Sequence, residues 1–338
     1  MKSPRSPLPI AVTMGEPAGV SGELLVKAFA ARESLKLPHF FAVADPNWLA
    51  DTARRLDMPL DVRIVRDIGD IPPVPDSFLN VVRVELEANP EPGVPLAENA
   101  QAVIEAIEHA VSYALAGKAS AVVTLPIQKS VLTGAGFRHP GHTEILAHLC
   151  KTKSRPVMML VAEGLRVVPV TVHLPVKDIA KALTKDAIMA AARITHAALV
   201  SDFGLDKPRI AVAALNPHAG ESGTMGREEI DIIAPAVAQL AKEGLLVKGP
   251  LPADTLFHAG QRKKFDAVIC MYHDQALIPL KTIDFAGGVN MTLGLPIVRT
   301  SPDHGTALDI AGQGIADITS FAAALKLAHH CAKRRARA

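Results

Sequence analysis

Short apolar runs rich in Val, Ile and Ala alternate along this chain with stretches of helical periodicity. That alternation limits the fold more than any other feature. A brief run with no polar alternate residues reads as a strand buried on both faces, and a helix after each such strand is the crossover a parallel sheet requires. Residues 8–13 and 40–44 read as the first two strands, with helices over 19–33 and from about 47 onward. Residues 97–116 carry apolar side chains at helical spacing and form the clearest amphipathic helix. Further strands are expected at 121–124, 157–161, 166–172, 209–215 and 267–272, and further helices at 185–202, 227–243 and 318–333. The proline-rich stretch 71–95 reads as surface connection around one short strand. The fold class is therefore α/β, with largely parallel sheets.

Composition narrows the function classes. The 338 residues suffice for two ordinary domains. Hydrophobic residues at 49 % against charged residues at 21 % exclude a disordered chain, and aromatics at 4 % with Trp48 the single tryptophan require an aliphatic core. A net charge of +2 creates no global field for nucleic acid or an anionic membrane. No apolar run approaches the ~18 residues that span a bilayer. The basic cluster at 333–337 reads as a solvated helix end whose cations complement the dipole. Cys150, Cys270 and Cys331 are scattered, without a CxxC pair, as reduced thiols of a cytoplasmic protein would be. Lys2 and Arg5 precede a short apolar stretch interrupted by Pro7 and Pro9, so no secretory signal is expected there.

Three histidines, His173, His218 and His273, each follow an apolar strand. In open parallel sheets ligands bind at the carboxyl ends of strands, and neutral imidazole suits zinc and cobalt. Taken singly, each is as readily a strand-end residue with a structural partner. Together they form a candidate divalent-metal set, although their spacing matches no local metal motif.

Two glycine-rich turns add a candidate nucleotide site. Gly15-Glu16-Pro17-Ala18-Gly19-Val20-Ser21-Gly22-Glu23 joins the first strand to the first helix, allowing a tight turn and close approach of a ligand to a helix N-terminus. It is not GxGxxG, and a purely structural βα turn is the competing reading. The second turn runs through His304, Gly305, Thr306, Asp309 and Gly312. It resembles the adenosine-binding loop of the isocitrate and isopropylmalate dehydrogenases, which bind NAD(P) without the usual fingerprint. A third set, Gly141-His142-Thr143-Glu144 with Lys281, Asn290 and Arg299, has the donors that bind phosphate, although scattered surface cations are otherwise merely solvated.

Longer motifs carry a family resemblance. Asn216-Pro217-His218-Ala219-Gly220-Glu221 with Met225-Gly226-Arg227-Glu228-Glu229, Gly249-Pro250-Leu251-Pro252-Ala253-Asp254-Thr255 and Met271-Tyr272-His273-Asp274-Gln275 resemble the 4-hydroxythreonine-4-phosphate dehydrogenase family. So do Pro140-Gly141-His142-Thr143-Glu144 and Thr292-Leu293-Gly294-Leu295-Pro296 leading to Arg299-Thr300-Ser301. The resemblance implies two α/β/α three-layer domains flanking a cleft, like isocitrate and isopropylmalate dehydrogenase. Residues 1–125 plus 300–338 would form the nucleotide side, and 126–299 would supply metal ligands, substrate ligands and a dimer interface. It implies a homodimer with the active site at the subunit interface. A divalent metal, zinc with magnesium or cobalt as substitutes, would sit on His173, His218 and His273, and NAD or NADP on the second glycine turn. His142, Thr143, Lys281, Asn290 and Arg299 would hold a small phosphorylated hydroxy amino acid.

The implied reaction oxidises 4-phosphooxy-L-threonine at C3 to a β-keto acid that then loses carbon dioxide, a step of pyridoxine phosphate biosynthesis. Asp254, Asp274 and Lys281 are candidates for proton transfer or for orienting the histidines. Glu16, Ser21 and Gly22 stand where the family usually has Asp, Gly and Pro, and Gln128 where Asn is commoner. Glu16 is expected to make a shifted contact and not to lose function. Two alternatives compete, one within the same superfamily and one of a different class. A sister dehydrogenase would act on threonate or erythronate 4-phosphate or on an aromatic cis-dihydrodiol. A phosphate acyltransferase would use a related fold without metal or NAD.

Overall fold

The computed structural model describes residues 8–72, 77–137, 141–152 and 155–337. Lys2, Arg5, Pro7 and Pro140, named above, lie outside the described residues. In chain order the strands are β1 (Ile10–Thr13), β2 (Phe40–Ala44), β3 (Val62–Val65), β4 (Leu79–Arg83), β5 (Val122–Thr124), β6 (Val157–Ala162), β7 (Leu165–Pro169), β8 (Arg209–Ala213), β9 (Leu246–Leu251), β10 (Ala267–Cys270), β11 (Val289–Leu293) and β12 (Arg299–Pro302). The longer helices are α1 (Ser21–Ala30), α2 (Pro46–Arg55), α3 (Ala100–Leu115), α4 (His142–Leu149), α5 (Lys185–Ser201), α6 (Ala234–Lys242), α7 (His273–Ile283) and α8 (Thr319–Arg335).

The chain divides into two compact units, one up to Pro156 together with Leu295–Arg337, the other Val157–Gly294. Residues 126–156 and 295–299, assigned above to the second domain, fall in the first unit, where α4 packs on α3.

In the first unit the strand order is β3-β4-β2-β1-β5-β12, with every pairing parallel. β1, β2 and β5 are buried along their whole length, which requires helices on both faces of the sheet. The stripe of Val103, Ile104, Ile107, Ala110 and Val111 on α3 is buried and packs on β1, β2 and β5. α8 covers β12, β5 and β1. α2 begins at Pro46 because Asp45 Oδ1 accepts the Asn47 and Trp48 backbone N–H groups at 2.7 and 3.2 Å.

The second unit departs from a parallel sheet. Its order is β11-β6-β7-β10-β8-β9, and β6 runs antiparallel to both β11 and β7. β6 and β7 are joined only by Glu163 and Gly164, the latter at φ +70°, and so short a link closes a hairpin but cannot carry a parallel crossover. Both strands are apolar enough to be legible, yet apolar content does not reveal direction. The pairs β7-β10 and β10-β8 are parallel, as expected, and β8 also pairs in parallel with β9, a strand the sequence did not mark. The expected helix at 227–243 opens with a π-helical turn, Glu229–Ile233, before α6. Helix α7 was not legible because Pro279 lies inside it. Ala276 and Leu280, one turn apart on α7, are fully buried against Leu160, Val167, Ala211 and Val268. Burying a leucine such as Leu280 contributes about 2 kcal/mol.

Candidate active site

In the second unit, pairing between β7 and β10 continues past the ends of both strands. Val170 N–H donates to Cys270 O at 2.8 Å, and Thr171 donates to Met271 O through its backbone N–H (3.2 Å) and its hydroxyl (2.8 Å). Two residues beyond those contacts stand His173 and His273, whose ring centroids are 5.8 Å apart at an interplanar angle of 40°. His273 is the first residue of α7, and its Nδ1 lies 2.7 Å from Asp274 Oδ1. With the carboxylate accepting, that bond selects the tautomer whose Nε2 keeps a lone pair, the form in which an imidazole ligates a metal. Gln275, quoted in a motif but given no role by the sequence, ties this turn to β8. Its Oε1 accepts Met271 N–H and its Nε2 donates to Ala214 O, both at 2.7 Å.

His218 is exposed and lies in the segment Pro217–Gly223, where every residue from His218 to Ser222 has a positive φ between 42° and 75°. A left-handed conformation costs a non-glycine residue roughly 1–2 kcal/mol, so this segment is held by its surroundings. Among the described residues no three His, Cys, Asp or Glu side chains gather as a metal cluster. The structure thus pairs His173 with His273 and does not bring His218 to them. Asp254 is exposed on the short helix Ala253–Leu256, which packs against the His218 segment. Lys281 lies in the last turn of α7 with Nζ 5.5 Å from the Phe285 ring centroid, eight residues along the helix from His273, or roughly 12 Å of rise. Asn290 lies on β11 opposite Leu160 of β6.

In the first unit, Arg299 of β12 is only 4 % exposed, and its Nε and Nη2 donate to Thr124 Oγ1 at 3.2 and 2.5 Å. Burial pulls the guanidinium pKa down to about 10, a sign that this cation is poorly solvated. His142 begins α4 beside it. Burial, and then the positive charges of Arg299 and Lys129, hold its imidazole well below the ordinary histidine pKa, so it is neutral at pH 7. His142 Nε2 is buried and has no hydrogen-bond partner among the described residues. A polar atom left so costs free energy until a ligand meets it. Thr143 follows in the first turn of α4. Thr124 and Lys129 were given no role by the sequence. The parallel pairing of β5 with β12 is what brings Thr124 to Arg299.

The two glycine turns, separate in sequence, pack on each other. Val20 N–H donates to Thr306 O at 3.0 Å, and a Cβ on Gly19 would lie 2.6 Å from that same oxygen. Gly312 N–H donates to Glu23 Oε1 at 2.6 Å, and Lys27 Nζ donates to Gly314 O and Ala316 O at 2.6 and 2.9 Å. Thr306 Oγ1 donates to Gln128 Oε1 at 3.1 Å, a contact made by the family-atypical Gln128. His304 Nδ1 lies 2.9 Å from Gly305 O, and Asp309 is exposed in a 3-10 turn. Glu16 is turned inward, where Oε1 accepts Ala18 N–H at 3.1 Å and burial raises its pKa. At Gly22 a Cβ would lie 2.9 Å from both Thr52 Oγ1 and Trp48 Cζ2, so the proline usual in the family would have to displace one of these side chains. A cavity of about 460 Å³ opens along this side, lined by Gly22, Trp48, Arg55, Arg83 and Gly312 among others. Of the residues expected to bind ligands, Gly312 lines it.

Comparison with known proteins identifies the relatives. A family model described as pyridoxal phosphate biosynthetic protein PdxA matches residues 36–328. The chain is 51 % identical to the 4-hydroxythreonine-4-phosphate dehydrogenase of Paracoccus denitrificans, over 97 % of this chain and 98 % of the relative. Its structure is similar to the crystal structure of 4-hydroxythreonine-4-phosphate dehydrogenase from Klebsiella pneumoniae, with a TM-score of 0.88 and 38 % identity over 96 % of this chain and 99 % of that one. A terephthalate 1,2-cis-dihydrodiol dehydrogenase from Burkholderia xenovorans is also similar, at a TM-score of 0.64 and 27 % identity over 96 % of this chain and 98 % of that one.

Proposed function

Since the chain belongs to the pyridoxal phosphate biosynthetic protein PdxA family, we propose that it oxidises 4-phosphooxy-L-threonine at C3 with NAD or NADP. The product is 2-amino-3-oxo-4-phosphooxybutanoate, which decarboxylates to 3-amino-2-oxopropyl phosphate. The observation that carries this reading is the His173–His273 pair at the adjoining ends of β7 and β10, with Asp274 beside the His273 ring. The donor chemistry of that pair fits a divalent cation, zinc first and magnesium or cobalt as substitutes, and the family resemblance adds His218, which lies apart from the pair in this structure, as the third ligand. Such a cation supplies Lewis-acid polarisation of the oxygen being oxidised, and the nicotinamide supplies the hydride acceptor.

The chain's own residues do the rest. The poorly solvated Arg299 favours the phosphate, held in place by Thr124. His142, kept neutral, offers its buried Nε2 as a hydrogen-bond partner and adds no competing charge. Thr143, Lys281 and Asn290 complete the substrate contacts. Asp274 orients His273, and Asp254 and Lys281 are the groups we assign to accepting the C3 hydroxyl proton as hydride leaves C3. Decarboxylation then passes the C1–C2 bonding pair toward the new ketone, and C2 takes up a proton. The nucleotide lies along His304, Gly305, Thr306, Asp309 and Gly312, on glycine turns that Glu23 and Lys27 hold together.

The family resemblance implies a homodimer with the active site at the subunit interface, and such an interface would cover apolar side chains of the second unit that are exposed here, Val176 at 80 % and Phe285 at 81 %. Among the described residues no helix is long and apolar enough to cross a membrane. We place the enzyme in the cytoplasm, as the family resemblance and the scattered cysteines suggest. The test is the ratio of kcat/KM among 4-phosphooxy-L-threonine, D-threonate 4-phosphate, D-erythronate 4-phosphate and an aromatic cis-dihydrodiol. Strong preference for the first supports the reading, and preference for any other transfers the enzyme to a sister activity.

A further inference from the structure

Glu229 has no part in the chemistry described so far, yet it is 3 % exposed and begins the π-helical turn before α6. Its carboxylate is committed to the chain that leaves β8. Oε1 accepts the Leu215 and Asn216 backbone N–H groups at 2.8 and 2.7 Å, and Oε2 accepts Asn216 Nδ2 at 2.9 Å. Glu228 Oε2 accepts from the same Asn216 amide at 2.7 Å. Burial alone would raise the Glu229 pKa, but the Asn216 side chain and the Asn216 and Leu215 backbone donors outweigh it and hold the group ionised.

Space around this clamp is fully used. A Cβ on Gly220 would lie 2.6 Å from Glu229 Oε2, and one on Gly226 would lie 2.5 Å from Asn216 Nδ2 and 2.7 Å from Glu228 Oε2. Glycine at both positions lets the backbone fold directly over the carboxylates. His218 is the first residue of the left-handed run, two positions after the clamped Asn216, and the middle of that run rests on the clamp at Gly220. A conformation that L-residues avoid persists only where its surroundings over-determine it. Here the take-off is fixed by three hydrogen bonds to one buried carboxylate, with Gln275 gripping the preceding Ala214 carbonyl at 2.7 Å.

We propose that Glu229, acting with Asn216, is a positioning residue for His218: by clamping Leu215 and Asn216 it sets the left-handed run and so fixes where the His218 imidazole is presented. The inference rests on the reading of His218 as a ligand of the divalent cation. It assigns Glu229 no contact with substrate, and its effect must appear in metal affinity before it appears in chemistry.

Glu229→Gln keeps the volume and one acceptor oxygen but sets an NH2 group against the Asn216 amide. Full-length, chelator-treated protein is titrated with Co(II), following the visible ligand-field bands, alongside thermal melting and tryptic cleavage after Arg227. Expected are a fall in Co(II) affinity of about tenfold or more, faster cleavage after Arg227, a retained cooperative melt, and wild-type band intensity at saturating Co(II). A folded Glu229→Gln protein that binds Co(II) within twofold of wild type overturns the proposal. If that variant does not fold, Glu229→Asp, which keeps the charge but shortens the reach to the Leu215 and Asn216 backbone donors, is judged by the same criterion. Should wild-type protein bind no Co(II), the metal reading itself fails, and the positioning role falls with it. Accelerated cleavage after Arg227 in the variant would then mark a clamp that supports the fold alone, which separates the two failures.

Discussion

Replacing Thr124 by valine removes one oxygen and almost no volume, and the structure shows what that oxygen does. It accepts both Nε and Nη2 of Arg299, at 3.2 and 2.5 Å, in surroundings where Thr124 is fully buried and Arg299 nearly so. Hydrogen bonds to a charged group are worth about 1.5–3 kcal/mol each. Because both donors share one acceptor, the expected loss of stability is about 2–4 kcal/mol and not the full sum. Trp48, the single tryptophan, lies on α2 of the same unit and reports urea unfolding by fluorescence. If only about 2 kcal/mol of the loss reaches the bound phosphate, kcat/KM for 4-phosphooxy-L-threonine falls roughly 30-fold, mostly through KM. Any turnover of 4-hydroxy-L-threonine, which lacks the phosphate, should change less than about twofold. A destabilised Thr124→Val protein with an unchanged KM for the phosphorylated substrate would refute the assignment of Arg299 to phosphate and leave Thr124 a purely structural residue.

Three further outcomes follow from particular contacts. His142 has a folded pKa depressed by burial and by the Arg299 and Lys129 charges, so below its unfolded pKa of about 6.5 the unfolded chain takes up a proton that the native chain refuses. Urea stability should therefore fall with decreasing pH below about 6.5, by up to about 1.4 kcal/mol per unit more than in His142→Asn, and parallel profiles for the two proteins would contradict this. Lys27→Met removes two bonds, to Gly314 O and Ala316 O, that anchor the second glycine turn. Steady-state kinetics should show KM for NAD(P) raised several-fold with KM for the phosphorylated substrate unaltered. Gly22→Ala places a Cβ 2.9 Å from Trp48 Cζ2 and Thr52 Oγ1, which should cost about 1–3 kcal/mol in urea unfolding, and a neutral result would mean that α1 and α2 can separate cheaply.

Much of this was legible in the sequence because it depends on local pattern. Fully apolar runs marked β1, β2, β5, β8 and β10, and helical spacing marked α3. Direction was not legible. β6 and β7 look like successive parallel strands until the two-residue link at Glu163 and Gly164 turns them into a hairpin. α7 was hidden by Pro279, β9 because Gly249 and Pro250 interrupt its pattern, and β12 because Arg299, Thr300 and Ser301 are polar. In the site, motifs supplied residue types but not partners. Nothing in the spacing of Thr124 and Arg299, or of Glu23 and Gly312, indicates that they touch, because strand order creates those contacts. His218 shows the opposite limit. Its motif was visible, but its left-handed backbone depends on a carboxylate eleven positions later in the chain, Glu229, and on a glycine whose missing Cβ makes room for it.

The most direct measurement is NAD(P)H formation from 4-phosphooxy-L-threonine by chelator-treated protein, with zinc, cobalt or magnesium added back separately, and with carbon dioxide release followed in parallel. Turnover that is absent after chelation, restored by a divalent cation and matched by carbon dioxide is the expected result. Equal turnover with and without the cation would contradict the role given to His173, His218 and His273, and no turnover under any condition would contradict the dehydrogenase reaction itself.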